Sequence, residues 1–264
     1  MEGNELIVEG LGQFEKKFSP YRESFVIIGG AACRAVLADG PVTPRKTVDI
    51  DMVLVLEKLD RSFISAFWSF IKAGGYKCAK RKDQDGNPKY VLYSFIGGQE
   101  DYPSQVELLS RPVDGLGNPE DHHIEIIDMV EDYSHLSAII LDTDYYNYLI
   151  EHSEAKGGLR YASADSLICL KVLAYLNLKK EKEAGNQVND YDYKKHRRDV
   201  LMAAASLTVG ETHAVTASLK SAITEFIGAV SDTSVKKSLI ASLGINEEAF
   251  GVYLETLDEA FVVE

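Results

Sequence analysis

The sequence is short of positive charge, of cysteine and of long apolar stretches, and each shortage narrows what the chain can be. Its 28 Lys and Arg residues face 41 Asp and Glu, a formal net charge of −13. A surface of that sign repels nucleic acid over much of its extent, so a polynucleotide partner has to meet a local basic patch. Net charge alone therefore favours a small substrate or a protein partner. No apolar run reaches the length of a bilayer span, and no basic segment followed by an apolar one opens the chain, so the expectation is a cytoplasmic protein with no membrane partner. The three cysteines, Cys33, Cys78 and Cys169, are odd in number, far apart and free of any Cys-x-x-Cys pair. That argues against a disulfide framework or a structural zinc site and leaves them as small core residues. Internal repeats, low-complexity segments and Gly-x-Ser-x-Gly or Cys/His nucleophile arrangements are also missing. The tandem His122-His123 would point to opposite faces of a strand, which makes a poor ligand pair and reads as surface.

What the chain does have is an acid pair. Asp49 and Asp51 open the apolar run Asp49-Ile50-Asp51-Met52-Val53-Leu54-Val55-Leu56. In a strand alternate side chains share a face, so the two carboxylates project side by side, roughly 6 to 7 Å apart along the backbone, while Ile50 enters the core. Such a pair can grip one divalent cation or flank two. Upstream, Phe25-Val26-Ile27-Ile28 reads as a buried strand, followed by Gly29-Gly30 and a helix from about Ala31. Glycine there lets backbone approach a ligand closely, and a helix N-terminus offers free amides to phosphate. A phosphate cradle beside a metal-binding acid pair points to metal-dependent phosphoryl or nucleotidyl transfer.

With 264 residues and 45% apolar content the chain can bury a substantial core as one large domain or two modest ones. Asp60 is placed to cap a helix carrying Phe63, Ile64, Phe67, Phe70 and Ile71 at helical spacing, closed by Gly74-Gly75. A hairpin is expected over 76–81 and 89–96, with 83–88 as its turn, and further strands over 105–109, 124–127 and 138–141. From about Thr143 the pattern turns helical: 145–151, 163–180, 191–207, 212–230 and two more helices. Lys156-Gly157-Gly158 reads as a linker, giving an α/β domain over 1–155 and a helical domain over 156–264. A dinucleotide-binding unit also has a strand, a glycine turn, a helix and a later acid. It is disfavoured because the turn lacks Gly-x-Gly-x-x-Gly, the acid is doubled, and a hairpin follows where crossovers are needed.

The segments Ile28-Gly29-Gly30-Ala31-Ala32-Cys33-Arg34 and Arg45-Lys46-Thr47-Val48-Asp49-Ile50-Asp51 resemble the polymerase-β-like nucleotidyltransferase superfamily. Within it they are most similar to the AbiEii-type branch, found as toxins of abortive-infection toxin–antitoxin systems. The resemblance covers roughly residues 20 to 110 well, and Leu167–Ala174 and Lys195–Asp199 more loosely. It implies an α+β fold, a nucleotidyltransferase-like mixed β-sheet domain with flanking helices followed by a mostly helical C-terminal domain. It also implies a third carboxylate on a later strand, for which Glu107 is the best match and Glu125 and Asp128 are the alternatives. Two departures stand out: the Gly40-Pro41-Val42-Thr43-Pro44 stretch lengthens the spacer before Asp49, and the third acid is Glu where Asp is common.

The implied chemistry is transfer of a nucleoside monophosphate from a nucleoside triphosphate to a hydroxyl. Asp49, Asp51 and Glu107 would hold Mg²⁺ or Mn²⁺, and Gly29 and Gly30 would cradle phosphates, with Arg34, Arg45 and Thr47 beside them. Lys171 interrupts the apolar face of Leu167, Leu170, Ala174 and Leu178. It reads either as a snorkelling lysine or as a contact to triphosphate across a cleft. The run Lys194-Lys195-His196-Arg197-Arg198-Asp199 reads either as a solvated helix face or as a working one. In the second case Lys195 and Asp199, one turn apart, support the cleft, while Arg197 and Arg198 meet an RNA backbone. The acceptor is expected to be an RNA end or a protein. The alternatives are a transferase acting on a small hydroxylated compound, and a non-catalytic relative that binds a nucleotide or an antitoxin partner.

Overall fold

The computed structural model describes residues 9–38, 44–82, 88–111, 124–127, 136–185 and 187–264. Helix α1 (Leu11–Phe18) leads through a 3-10 segment into β1 (Phe25–Ile28), α2 (Gly29–Val36), β2 (Asp49–Leu54) and α3 (Arg61–Ala73). Strands β3 (Lys77–Lys82), β4 (Pro88–Ile96), β5 (Gln105–Ser110), β6 (Ile124–Ile127) and β7 (Leu136–Ile140) follow, then α4 (Thr143–Glu151), β8 (Ser153–Lys156) and β9 (Leu159–Ala162). The remainder is α5 (Ala164–Glu183), α6 (Asp190–Ala204), β10 (His213–Val215), α7 (Ala217–Val230), α8 (Thr233–Leu243), α9 (Glu247–Ala260) and β11 (Phe261–Val263). The architecture is α+β.

Strands β1 to β9 form one mixed sheet in the order β3-β4-β5-β2-β1-β9-β8, with β7 also on β5 and β6 on β7. The pairs β2–β5, β1–β9 and β5–β7 run parallel, and the hairpin-type neighbours run antiparallel. One flank of the sheet is sealed by aromatics. Asp60 caps α3 by accepting from the Phe63 amide at 2.8 Å, which sets the phase that buries Phe63, Phe67 and Phe70. These meet Phe14 and Phe18 of α1 and Phe25 of β1, with ring centroids 4.4 Å apart for Phe14–Phe18 and 5.2 Å for Phe18–Phe70. Burying each such ring stabilises the fold by about 1.5–3 kcal/mol, which makes this cluster the anchor of the strand that carries the glycine turn.

Helix α2 packs against β1, β2, β9 and α5. Its buried side is Gly30, Ala31, Ala32, Cys33 and Ala35, small residues that let the helix lie close to the sheet. Helix α5 packs in turn on α6, so residues of both helices come to the edge where β1, β2 and β5 end.

Three expectations need correction. Lys156-Gly157-Gly158 is the turn of the β8–β9 hairpin, not a linker, and β9 pairs with β1, so the sheet continues to Ala162. The helix expected from Thr212 begins at Ala217, because His213–Val215 pairs in parallel with the C-terminal Phe261–Val263, and Thr216 caps the helix. The strand expected over 138–141 lies over 136–140, set by its pairing with β5 and β6. The hairpin turn at 83–87 and most of the loop after Arg111 lie outside the described residues. Among those described, no helix is long and apolar enough to cross a membrane, and all three cysteines are free.

Candidate functional site

The alternation of β2 fixes the first half of the site. Ile50 and Met52 are fully buried, while Asp49 and Asp51 lie on the other face, Asp51 the more deeply buried of the two. Parallel pairing sets Asp49 opposite Gln105 and Asp51 opposite Glu107 on β5, so the third acid stands beside the second on the same face. On its far side Asp51 pairs with Ile28, the residue before the glycine turn. Glu107 is held from both neighbours: its Oε1 accepts from Gln105 Nε2 at 2.5 Å and from Ser94 Oγ at 3.3 Å. Glu125 is separated from β2 by β7 and β5, and Asp128 lies outside the described residues.

Gly29 and Gly30 are required by what presses on them. Gly29 has φ +68°, and a β-carbon there would stand 2.0 Å from Asp51 Oδ2. One on Gly30 would stand 2.7 Å from Thr47 Oγ1. The start of α2, the turn that Asp51 presses on, carries no side-chain cap, so its first amides have no side-chain partner.

The opposite wall comes from the helices. Lys171 does not snorkel to water: it is 6% exposed, and its Nζ lies 3.3 Å from Asp199 Oδ2 of α6. Together Gly30, Arg45, Thr47, Asp49, Asp51, Gln105, Glu107, Lys171, Lys195 and His196 line one cleft of about 580 Å³.

Electrostatics follow from this crowding. Burial, reinforced by Glu107, pushes the Asp51 carboxyl up to about 6. Asp49 is also raised by burial, with Lys195 and Arg45 opposing. Burial works against the Lys171 ammonium, yet Cys33, Asp199 and Asp51 outweigh it and its pKa moves up, so the lysine stays charged. His196 is driven down to about 3 by burial and by Lys171, Lys195 and Arg45, which makes it a neutral imidazole. Burial raises Cys33 to about 11, so its thiol is inert.

Several sequence expectations come out differently. Arg34 does not line the cleft; its Nη1 donates to the Pro44 carbonyl at 3.3 Å and braces the segment before Arg45. Lys195 and Asp199 meet the cleft by separate routes: Lys195 lines it and pairs through Nζ with Asp192 Oδ1 at 3.0 Å, while Asp199 serves Lys171. Arg197 is buried, so the basic run is not a uniformly solvated face. His122 and His123 lie outside the described residues. Sequence reasoning missed Gln105, two residues before Glu107 on the same strand face, and Asn177, which follows Lys171 and Ala174 at helical spacing.

A separate cluster joins the end of α4, the start of α5 and β10. Asp165 accepts from Tyr148 at 2.7 Å and Ser163 at 2.6 Å, and lies 2.5 Å from His152 Nδ1 and 3.7 Å from His213 Nδ1. Burial opposes its ionisation, but these partners outweigh it and lower its pKa. Among the described residues, this is the group of His, Cys, Asp and Glu donors that closes to within 4.8 Å; Asp49, Asp51 and Glu107 line their cleft more widely spaced.

Comparison with protein-family models, with curated proteins and with solved structures finds no match to this chain.

Proposed function

We propose that the chain is a metal-dependent nucleotidyltransferase of the polymerase-β-like, AbiEii-like kind, moving a nucleoside monophosphate from a triphosphate to a hydroxyl of an RNA or protein acceptor. The observation that carries this reading is the register that sets Asp51 between Glu107 and the Gly29 turn inside one cleft. Three carboxylates on neighbouring strands are the hard oxygen donors that suit Mg²⁺ or Mn²⁺, and the Asp51 carboxyl, raised by burial and by Glu107 beside it, is one that a cation would relieve, so the donor set fits. A cation bound by Asp49, Asp51 and Glu107 would neutralise phosphate charge and acidify the acceptor hydroxyl.

The chain's own residues supply positioning and counter-charge, the main requirements of phosphoryl chemistry. The amides at the start of α2 receive phosphate oxygens, which the bare glycines allow to come close. Lys171, fixed by Asp199, and Arg45 and Lys195 line the cleft as counter-charges for the triphosphate. The acceptor oxygen attacks the α-phosphorus and forms the new P–O bond as the bond to the β-phosphate oxygen breaks and pyrophosphate leaves. The hydroxyl proton leaves to water, since Glu107 Oε1 is engaged by Gln105 and Ser94 and Oε2 is the oxygen left to hold the cation.

Thermal melting tests ligand binding without an acceptor. Millimolar Mg²⁺ should raise Tm and a triphosphate should raise it further. The Asp49→Ala variant should lose both shifts. A wild-type Tm indifferent to metal and every triphosphate would remove the basis of the proposal.

A further inference from the structure

Beside the cleft, and sharing Arg45 and Lys195 with it, lies a second cavity of about 290 Å³. Lys194, Arg197, Arg198 and Asp199 complete its charged lining, so five cations face one carboxylate on a chain whose net charge is −13. Three of these groups carry a buried polar atom without a hydrogen-bond partner: Arg45 Nε, Arg197 Nε and Asp199 Oδ1. Arg197 is 5% exposed, yet its Nε has no hydrogen-bond partner, and Nη2 reaches only Ser238 Oγ at 3.4 Å. The guanidinium lies over the Tyr193 ring, 5.7 Å from its centroid, and hydrogen-bonds the Tyr175 hydroxyl; Asp190 feels its charge, but no described carboxylate reaches it at ion-pair distance. A buried guanidinium held by an aromatic ring and hydroxyls lacks the directly paired counter-ion that burial ordinarily demands. Asp199 is 2% exposed and gives Oδ2 to Lys171, while Oδ1 is buried without a partner.

An orphaned donor and an orphaned acceptor on residues that line one cavity narrow what it can take. A bare anion would satisfy Arg197 but push against Asp199. A neutral sugar would donate to Asp199 and leave Arg197 unpaired. A molecule carrying a phosphate next to a hydroxyl answers both. We propose that this cavity is the acceptor subsite and that it takes a hydroxylated phosphate ester of the ribose-phosphate type, free or as the end of an RNA chain. The phosphate pairs with Arg197, backed by Arg198 and Lys194, and a sugar hydroxyl donates to Asp199 Oδ1. The inference rests on the transferase reading for the word acceptor, while the binding chemistry stands on the cavity alone. Arg45 and Lys195, shared by both spaces, are where triphosphate and acceptor would meet.

Calorimetric titration in EDTA at low salt, with no nucleotide, tests binding independently of any transfer activity. The ligands are ribose 5-phosphate, inorganic phosphate, ribose, and a short single-stranded RNA. Ribose 5-phosphate should bind at least tenfold more tightly than phosphate, and ribose should not bind measurably. Arg197→Met, which keeps the aliphatic stem, should weaken ribose 5-phosphate at least tenfold. Should that variant fail to fold, Lys194→Ala at the exposed rim should weaken it several-fold and flatten the salt dependence. RNA binding more tightly than ribose 5-phosphate identifies a chain end as the source; the reverse order identifies a free sugar phosphate. Failure of ribose 5-phosphate and RNA alike to bind the folded protein, affinity unchanged in both variants, or displacement by ATP, which would place the ligand in the main cleft, overturns the proposal. Such a failure leaves the metal and triphosphate shifts untouched, so the two readings fail separately.

Discussion

Asp51→Asn should make the metal-free protein more stable at neutral pH. Burial and the neighbouring Glu107 raise the Asp51 carboxyl from an ordinary 3.8 to about 6. Between those values the folded state binds a proton that the unfolded chain releases, so folding stability falls as pH rises through this window. At 1.36 kcal/mol per unit, a shift of roughly two units costs about 3 kcal/mol above pH 6. Asparagine carries no charge and removes that cost, less whatever the attraction to Lys171 returns. The assay is urea unfolding in EDTA at pH values from 3.5 to 7.5. The variant should match the wild type near pH 3.5, gain steadily from pH 4 to 6, and remain about 2–3 kcal/mol more stable at pH 7. A variant less stable than wild type at pH 7, or a difference independent of pH, would refute the placement of Asp51 as a buried carboxyl crowded by Glu107.

Gly29→Ala should cost about 1–2 kcal/mol from its left-handed backbone alone. It should also abolish the metal-induced rise in Tm, because the added methyl needs the space held by Asp51 Oδ2; a normal metal response would show that the turn does not touch the site. Asp165→Asn should lower stability by about 3 kcal/mol by replacing an acceptor shared by Tyr148, Ser163 and His152. Because the folded Asp165 carboxyl is lowered, its contribution is complete above the ordinary carboxylate pKa and lost as pH falls through the folded value. The wild-type advantage over Asp165→Asn should therefore shrink in acid, and one that grew there would contradict the network.

The acid face was readable because its determinants are local. Period-two alternation put Asp49 and Asp51 on one side of β2, and a glycine pair marked the turn; Glu107 followed only from the resemblance, with Glu125 and Asp128 open beside it, and the β2–β5 pairing is what sets it opposite Asp51. What escaped depends on distant partners. The strand over His213–Val215 exists because Phe261–Val263 lies beside it, and nothing within three residues encodes a neighbour that far along the chain. Lys156-Gly157-Gly158 read as a linker because its two glycines carry the same local signal in a hairpin turn, and only the pairing of β8 with β9 and of β9 with β1 decides. Arg197 read as one more surface cation in a basic run; its burial is set by α8, which brings Ser238 against it, and by Tyr193 beneath. Gln105 was passed over because its importance lies in the hydrogen bond to Glu107, a matter of rotamer that spacing does not reveal.

The most direct measurement of the central claim is incubation of the purified protein with each α-³²P-labelled nucleoside triphosphate, Mg²⁺ or Mn²⁺, and cell lysate or total RNA. Label should pass to a macromolecule with release of pyrophosphate. It should be abolished by Asp49→Ala and by Asp51→Asn, even though the latter is the more stable protein. Transfer that survived loss of both aspartates, or a folded wild-type protein that moved no label from any triphosphate to any acceptor, would contradict it.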